Sequence, residues 1–282
     1  MDFSERRITA QDGLSLYVRD YGDPLAARPT VLCLGGISRN ARDFELLAPH
    51  LAGQRRVVCP DYRGRGRSDY DPDKRNYNPS VYLRDILDIL TALDLHRVVV
   101  IGTSMGGLLA MALASARPGA MCAVVLNDIG PKIEPAGIER IKDYLGGDGR
   151  PADWDEAIAT LQERYRHDGM SSRDQWLSFA KRIYREADGG GLRPDFDRAI
   201  VDQLKSGPTG PPSLWPAFRA LSGFPLLAIR GEMSDILSPE TFERMGLEKP
   251  GLIALTLAGV GHPPTLDEPQ SVSAIDDFLD RL

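Results

Sequence analysis

The chain has only three cysteines in 282 residues: Cys33, Cys59 and Cys122. Each lies in an apolar run (VLCLG, VVCPD, MCAVVL). An odd number of thiols in strand-like segments argues against a disulfide framework and suits packed, reduced thiols. There is no CxxC pair and no Cys/His cluster, so no metal site is expected. No apolar run approaches the roughly 18 residues that a membrane-spanning helix needs. The first residues, MDFSERRITAQDG, lack the apolar core of a secretory signal. Positive charge is also in short supply. The 34 Lys and Arg face 40 Asp and Glu, a net charge of −6, which argues against nucleic acid as a partner. Arg63, Arg65 and Arg67 form a local basic cluster, but they sit in a short Gly-rich loop and read as a structural or rim feature. The expectation is a cytoplasmic protein with no metal, cofactor, membrane or nucleic-acid partner. Its partner is a small molecule, and monomer and homodimer are both open.

The residues that are present alternate in character. Arg6–Ala10 and Leu14–Asp20 flank Asp12-Gly13 and predict an antiparallel hairpin with a D-G turn. Apolar runs at 30–34, 56–59, 98–101 and 122–126 read as buried strands. Helical spacing appears at 44–51, 80–93 and from 108 onward. Continuous apolar strands separated by helices imply a parallel sheet covered on both faces. From 130 to about 216 no strand-like run appears. Helical stretches at 135–145, 152–166, 171–185 and 195–204 alternate with Gly-rich joints at 146–149 and 189–191. This predicts a helical insertion whose joints let it move. The sheet pattern resumes with a strand at 225–229, a helix at 239–245, a strand at 252–257 and a terminal helix at 271–282. The fold class is therefore α/β, with a core of 1–129 and 217–282 and an insertion of 130–216.

The chain centres on Gly102-Thr103-Ser104-Met105-Gly106, between the buried strand at 98–101 and an Ala/Leu-rich helix. A G-x-S-x-G in that context places the Ser on a tight, strained turn with its hydroxyl clear of the sheet. The following helix N-terminus favours negative charge. The Met105 N–H would then face an oxyanion formed at Ser104. The competing reading is a Gly-rich turn whose Ser only caps the helix.

A Ser nucleophile needs a base, and the base needs a carboxylate to fix its tautomer. Ligands in parallel α/β sheets sit beyond the carboxyl ends of the strands. Of four histidines, His50 lies late in a helix, His96 lies just before a strand and His167 lies in the insertion. Only His262, in Gly259-Val-Gly-His262, follows a strand at that edge. For the carboxylate, Asp235 follows the 225–229 strand and is preferred because the order Ser, Asp, His is the expected one. Asp128, just past the 122–126 strand, is the alternative. Asp267 is assigned to the start of the terminal helix. The second oxyanion donor is placed at Ile37, because Gly35-Gly36 lets a backbone N–H approach. Gly36, Arg39, Trp154, Trp176 and Trp215 are substrate-binding candidates. Packing of the insertion's helices on each other competes for the tryptophans, and surface ion pairing competes for Arg39 and Arg42.

GTSMGG at 102–107, DYRGRGRS at 61–68, GEMSDILSP at 231–239 and GVGHP at 259–263 together resemble the α/β-hydrolase superfamily. The branch is the one holding serine esterases, lactonases and carbon–carbon bond hydrolases. The resemblance runs over the whole chain outside the insertion. It implies an eight-stranded, mostly parallel sheet with a helical cap inserted after strand 6. It also implies Ser104 as nucleophile, His262 as base, Asp235 as acid and a backbone oxyanion hole, with no cofactor. Family members often carry His-Gly where this chain has Gly35-Gly36, which bears on the oxyanion loop. Ser104 separates the chain from relatives with Asp at that turn. Three activities follow as expectations. The first is hydrolysis of a small or medium ester, lactone or thioester through an acyl-enzyme. The second is carbon–carbon cleavage of a vinylogous diketone by the same residues. The third is non-catalytic capture of a small molecule.

Overall fold

The computed structural model describes residues 3–147, 149–165, 170–206 and 213–282. Chain order begins with β1 (Phe3–Thr9), β2 (Ser15–Tyr21), β3 (Val31–Leu34), α1 (Leu47–Leu51), β4 (Val57–Pro60), α2 (Pro79–Ala92), β5 (Val98–Thr103), α3 (Met105–Ala116) and β6 (Met121–Asn127). An insertion follows, with α4 (Pro135–Gly146), α5 (Trp154–Arg164), α6 (Arg173–Ile183), β7 (Tyr184–Glu186), β8 (Leu192–Pro194), α7 (Ala199–Ser206) and α8 (Trp215–Arg219). β9 (Leu226–Gly231), α9 (Pro239–Glu248), β10 (Ile253–Leu257) and α10 (Pro269–Leu279) complete the chain.

Eight strands form one sheet in the order β1-β2-β4-β3-β5-β6-β9-β10. β2 runs antiparallel to both β1 and β4, and the five pairs from β4 to β10 are parallel. The predicted antiparallel hairpin is present, and through β2 it joins the edge of the parallel sheet. Strand side chains divide by parity. Val98, Val100, Leu32, Val124 and Leu226 enter one core with α2 and α3. Val99, Ile101, Val31, Val125 and Leu227 enter the other with α1 and α10. Burial on both faces is why these strands read as unbroken apolar runs. Each fully buried Val, Leu or Ile contributes about 1.5–3 kcal/mol relative to exposure.

Helix ends follow local chemistry. Asn78 accepts from the N–H groups of Ser80 and Val81, and Pro79 occupies the first position of α2, where a missing N–H costs nothing. The helix expected over 44–51 is instead a 3-10 turn, Ala41–Phe44, followed by the short α1. α3 starts at Met105, directly after Ser104, rather than at 108. The insertion is mostly helical but carries a small hairpin, β7 with β8. Three-residue strands are too short to show a period in sequence. Gly190 and Gly191 have φ of 89° and 72° and form its turn, so one expected joint is a hairpin loop. Of the other joint, Asp148 lies outside the described residues.

Candidate functional site

Ser104 stands between β5 and α3 with φ 52°, ψ −115°. A non-glycine residue with positive φ is strained by roughly 1–3 kcal/mol, and its surroundings impose the strain. The Ser104 N–H donates to the Asn127 carbonyl at 3.0 Å, and its own carbonyl accepts from Gly107 and Leu108. The glycines are required by proximity. A Cβ on Gly106 would lie 2.0 Å from the Leu34 carbonyl oxygen, and one on Gly102 would lie 2.6 Å from the Gly106 backbone. α3 can approach β5 and β3 this closely only if those positions carry hydrogen.

His262 arrives from the loop after β10. Its Nε2 is 3.1 Å from Ser104 Oγ, and its Nδ1 is 2.7 Å from Asp128 Oδ2. Asp128 directly follows β6 and is fully buried. It has φ 53°, a left-handed conformation that Asp tolerates better than most residues. Its Oδ1 accepts from the Gly231 N–H at 3.0 Å, and its Oδ2 also accepts from Ser234 Oγ at 2.6 Å.

The carboxylate beside His262 is thus Asp128, and the preference for Asp235 is corrected. Asp235 turns away and forms a bidentate pair with Arg140 of α4, Nη2 to Oδ1 at 2.8 Å. Burial opposes its ionisation, but the Arg140 guanidinium outweighs that and holds the carboxyl below its usual range. The reason is reach. Asp128 leaves β6 within one residue of the sheet. Asp235 lies four residues beyond β9, on a loop that passes outward. Ser234, its neighbour, is the residue that reaches the site. The signal for Asp128 was its position flush with a buried strand end.

Two of the other histidines lie elsewhere. His50 meets Asp276 and His96 meets Asp94, each at 2.8 Å, and His167 falls outside the described residues. One residue that sequence reasoning missed is Asn127. Its buried amide donates to Thr103 Oγ1 at 3.1 Å and to the Pro264 carbonyl at 2.9 Å. It thereby ties β5 and β6 to the loop that carries His262.

Ser104 and His262 open onto a cleft walled by Gly36, Arg39, Tyr144, Tyr165, Phe179 and Arg182 among others. A Cβ on Gly36 would lie 3.9 Å from Ser104 Cβ, so the β3 loop passes close beside Ser104. Ile37 also lines the cleft, and its carbonyl accepts from buried Arg65 Nε at 2.8 Å. Among the described residues, the Ile37 and Met105 N–H groups meet no acceptor. Arg65 is a buried strut of the Ile37 loop. Arg63 is likewise buried, between Asp12, Asp71 and Asp85. Arg63 and Arg65 of the basic cluster are therefore structural, whereas Arg67 is exposed.

Arg39 lines the cleft as expected. Asp43 grips its Nε and Nη2 at 2.7–2.9 Å, and its guanidinium lies 4.9 Å from the Phe179 ring. Burial disfavours its charge, yet Asp43 holds its pKa above the usual value. Arg42 pairs with Asp195 at 2.6 Å. The three tryptophans do not line the cleft. Trp154 and Trp176 pack within the insertion's own small core. Trp215 packs edge-on to Phe218 under Arg244. Indoles in helices with one apolar face fill the contact between helices, and the cleft wall falls to Tyr144, Tyr165 and Phe179. Asp267 pairs with Arg182 of α6 at 2.7 Å. It precedes α10 as expected, and burial pushes its carboxyl up to about 6.

No group of His, Cys, Asp or Glu among the described residues is arranged to hold a metal ion. No described helix is long and apolar enough to cross a membrane.

A strand–turn–helix with Ser104 at the turn, on an eight-stranded α/β sheet, defines the class. The profile of the alpha/beta hydrolase family matches residues 31–275, and the chain belongs to that family. It is 36% identical over 270 residues to a 3-hydroxybutyrate-oligomer hydrolase of Cupriavidus necator, covering 92% of this chain and 91% of that one. It is 27% identical to a 2-(acetamidomethylene)succinate hydrolase of Mesorhizobium japonicum, covering 99% and 96%. The crystal structure of an alpha/beta hydrolase from Novosphingobium aromaticivorans superposes with a TM-score of 0.94 at 45% identity, covering all of both chains. Family and relatives support a hydrolytic enzyme.

Proposed function

We propose that the protein is a serine hydrolase that cleaves small or medium esters, lactones or thioesters through an acyl-enzyme. The observation that carries this is the continuous line from Ser104 Oγ through His262 to Asp128. Ser104 Oγ bonds to the substrate carbonyl carbon as its proton passes to His262 Nε2. The carbonyl π electrons move onto oxygen, and the Met105 and Ile37 N–H groups receive the oxyanion. Such a donor is worth about 2.7–4 kcal/mol elsewhere. Asp128, accepting from Nδ1–H, stabilises the imidazolium. The tetrahedral adduct collapses, and the leaving oxygen or sulfur takes the proton from Nε2. Water then repeats the sequence and releases the acid.

In this reading residues 130–216 act as a cap whose Tyr144, Tyr165 and Phe179 shape the pocket. The relative that acts on 3-hydroxybutyrate oligomers makes oligoesters of hydroxy acids the first substrates to try. Three free cysteines, two of them buried, support the cytoplasm as the location.

A second reading is carbon–carbon cleavage of a vinylogous diketone by the same residues. Arg39 favours it, as a fixed cation in the cleft wall for a substrate carboxylate. Fluorophosphonate labelling with peptide mapping, alongside turnover of p-nitrophenyl esters, hydroxybutyrate oligomers and a dienoate, tests both. Label on Ser104 with ester turnover supports the first reading. Label with dienoate turnover alone supports the second. Absence of label and turnover rejects both and leaves a small-molecule binder.

A further inference from the structure

Away from the cleft, the insertion's hairpin faces the core across an open hollow lined by Arg7, Arg67, Ser68, Tyr70, Arg185 and Arg193. Arg185 on β7 and Arg193 on β8 are direct register partners. Like charges directly opposite on antiparallel strands repel at short range. Local carboxylates do not balance them. Arg185 Nε lies 3.1 Å from Asp195, but that carboxylate is already held by Arg42 at 2.6 Å. Arg67 pairs with Glu5, and Arg7 reaches Asp69 only at 3.9 Å. The Arg193 side chain has no ion pair or hydrogen bond among the described residues. The neighbouring Lys74 and Asp197 pair with each other. Glu186, one residue beyond Arg185, projects from the other face of the hairpin by strand alternation. Five guanidinium groups thus meet three carboxylates, on a chain whose net charge is −6. The local excess is opposite in sign to the whole molecule.

The donors are also held ready. Arg7 and Arg67 lie 5.6 and 4.6 Å from the Tyr17 ring, which fixes both. Each bonds through Nη1 and keeps Nη2 uncommitted. Arg185 donates through Nη2 to the Tyr70 hydroxyl at 3.1 Å and keeps Nη1. Arg193 keeps its whole fork. These donors come from β1, the loop after β4, β7 and β8, so they converge from several directions. A planar carboxylate has two oxygens to offer them. A tetrahedral oxyanion offers three or four, and its multiple charge matches the unbalanced cations.

We propose that this hollow binds a phosphoryl group, with Arg7 and Arg67 of the core on one side and Arg185 and Arg193 of the insertion on the other. The ligand is free phosphate or pyrophosphate, or the phosphorylated end of a larger small molecule. Because it touches both parts, binding holds the hairpin against the core and raises the melting temperature.

The test is calorimetric titration of the intact protein with inorganic pyrophosphate and, separately, with ADP, at about 0.1 M ionic strength, where exposed charges are screened beyond about 10 Å. The expected result is saturable one-to-one binding. Arg193→Gln, which breaks no internal bond, weakens it at least about tenfold, in line with loss of a charged hydrogen bond. Arg281→Gln, at the exposed C-terminus, leaves it unchanged. ADP binding tighter than pyrophosphate assigns the phosphoryl group to a larger molecule, and equal binding assigns it to phosphate alone. Absence of saturable binding for both probes overturns the proposal, as does binding that Arg193→Gln leaves intact or that Arg281→Gln weakens equally. Ester turnover is not a readout here, so failure leaves the hydrolase reading untouched.

Discussion

Replacing Asp128 by Asn separates charge from shape at the site. The carboxylate is fully buried and faces three donors: His262 Nδ1–H, Ser234 Oγ–H and the Gly231 N–H. An amide offers one oxygen and one NH2. If the oxygen takes the Gly231 N–H, the NH2 faces His262 Nδ1. The ring then settles with its proton on Nε2, where it cannot accept the proton of Ser104. The equivalent change in the serine-protease triad costs about 10⁴ in kcat, about 5.5 kcal/mol on the barrier. We expect Asp128→Asn to lower kcat by about 10³–10⁴ with KM little changed. Asp235→Asn is the control. Its pair with Arg140 is more than a third exposed on both sides, so it is worth about 0–1 kcal/mol, and kcat should stay within about fivefold. The assay is initial-rate hydrolysis of p-nitrophenyl butyrate, with circular dichroism to verify folding. A folded Asp128→Asn that keeps its rate while Asp235→Asn loses it would refute the assignment.

Three further outcomes follow from the packing. Gly106→Ala forces a methyl onto the Leu34 carbonyl oxygen and should cost about 1–3 kcal/mol or more, read as a lower urea midpoint. Arg63→Met leaves the buried Asp71 and Asp85 unpaired and should cost about 3–5 kcal/mol; an unchanged midpoint would contradict that. Burial pushes Asp61 up to about 6 from its ordinary 3.8, against the N–H groups of Ala41 and Arg67 that favour its charge. Its folded value exceeds its unfolded one, so the folded state binds more protons between the two. Asp61 therefore destabilises the fold by about 3 kcal/mol at pH 7, and that penalty is relieved as pH falls through 6 toward 4. In Asp61→Asn the difference in unfolding free energy between pH 7 and pH 5 should shift against wild type by about 1.3 kcal/mol, since more than half of the penalty persists at pH 5, and coincident pH profiles would sink the argument.

The sequence by itself determined the layers, most of the element order and two members of the site. Unbroken apolar runs at 98–101 and 122–126 admit only strands buried on both faces. Gly102 and Gly106 announce a close approach of strand and helix, which puts Ser104 at the crossing. His262 followed because its rivals lay off the chemical edge. These are local facts of period, size and chain position. Tertiary structure decided which carboxylate faces His262, because Asp128 and Asp235 are equally acidic and both follow strands. Only the exit direction of two loops, one flush with the sheet and one swung toward Arg140, separates them. It likewise decided the cleft wall. Trp154 and Trp176 went into the insertion's own core and Trp215 into the main core under Arg244, and the tyrosines and Arg39 were left lining the cleft at Ser104. The sequence registers which side chains are apolar or charged. Which of them point at one another depends on how distant segments pack, and that is set by the closure of the whole core.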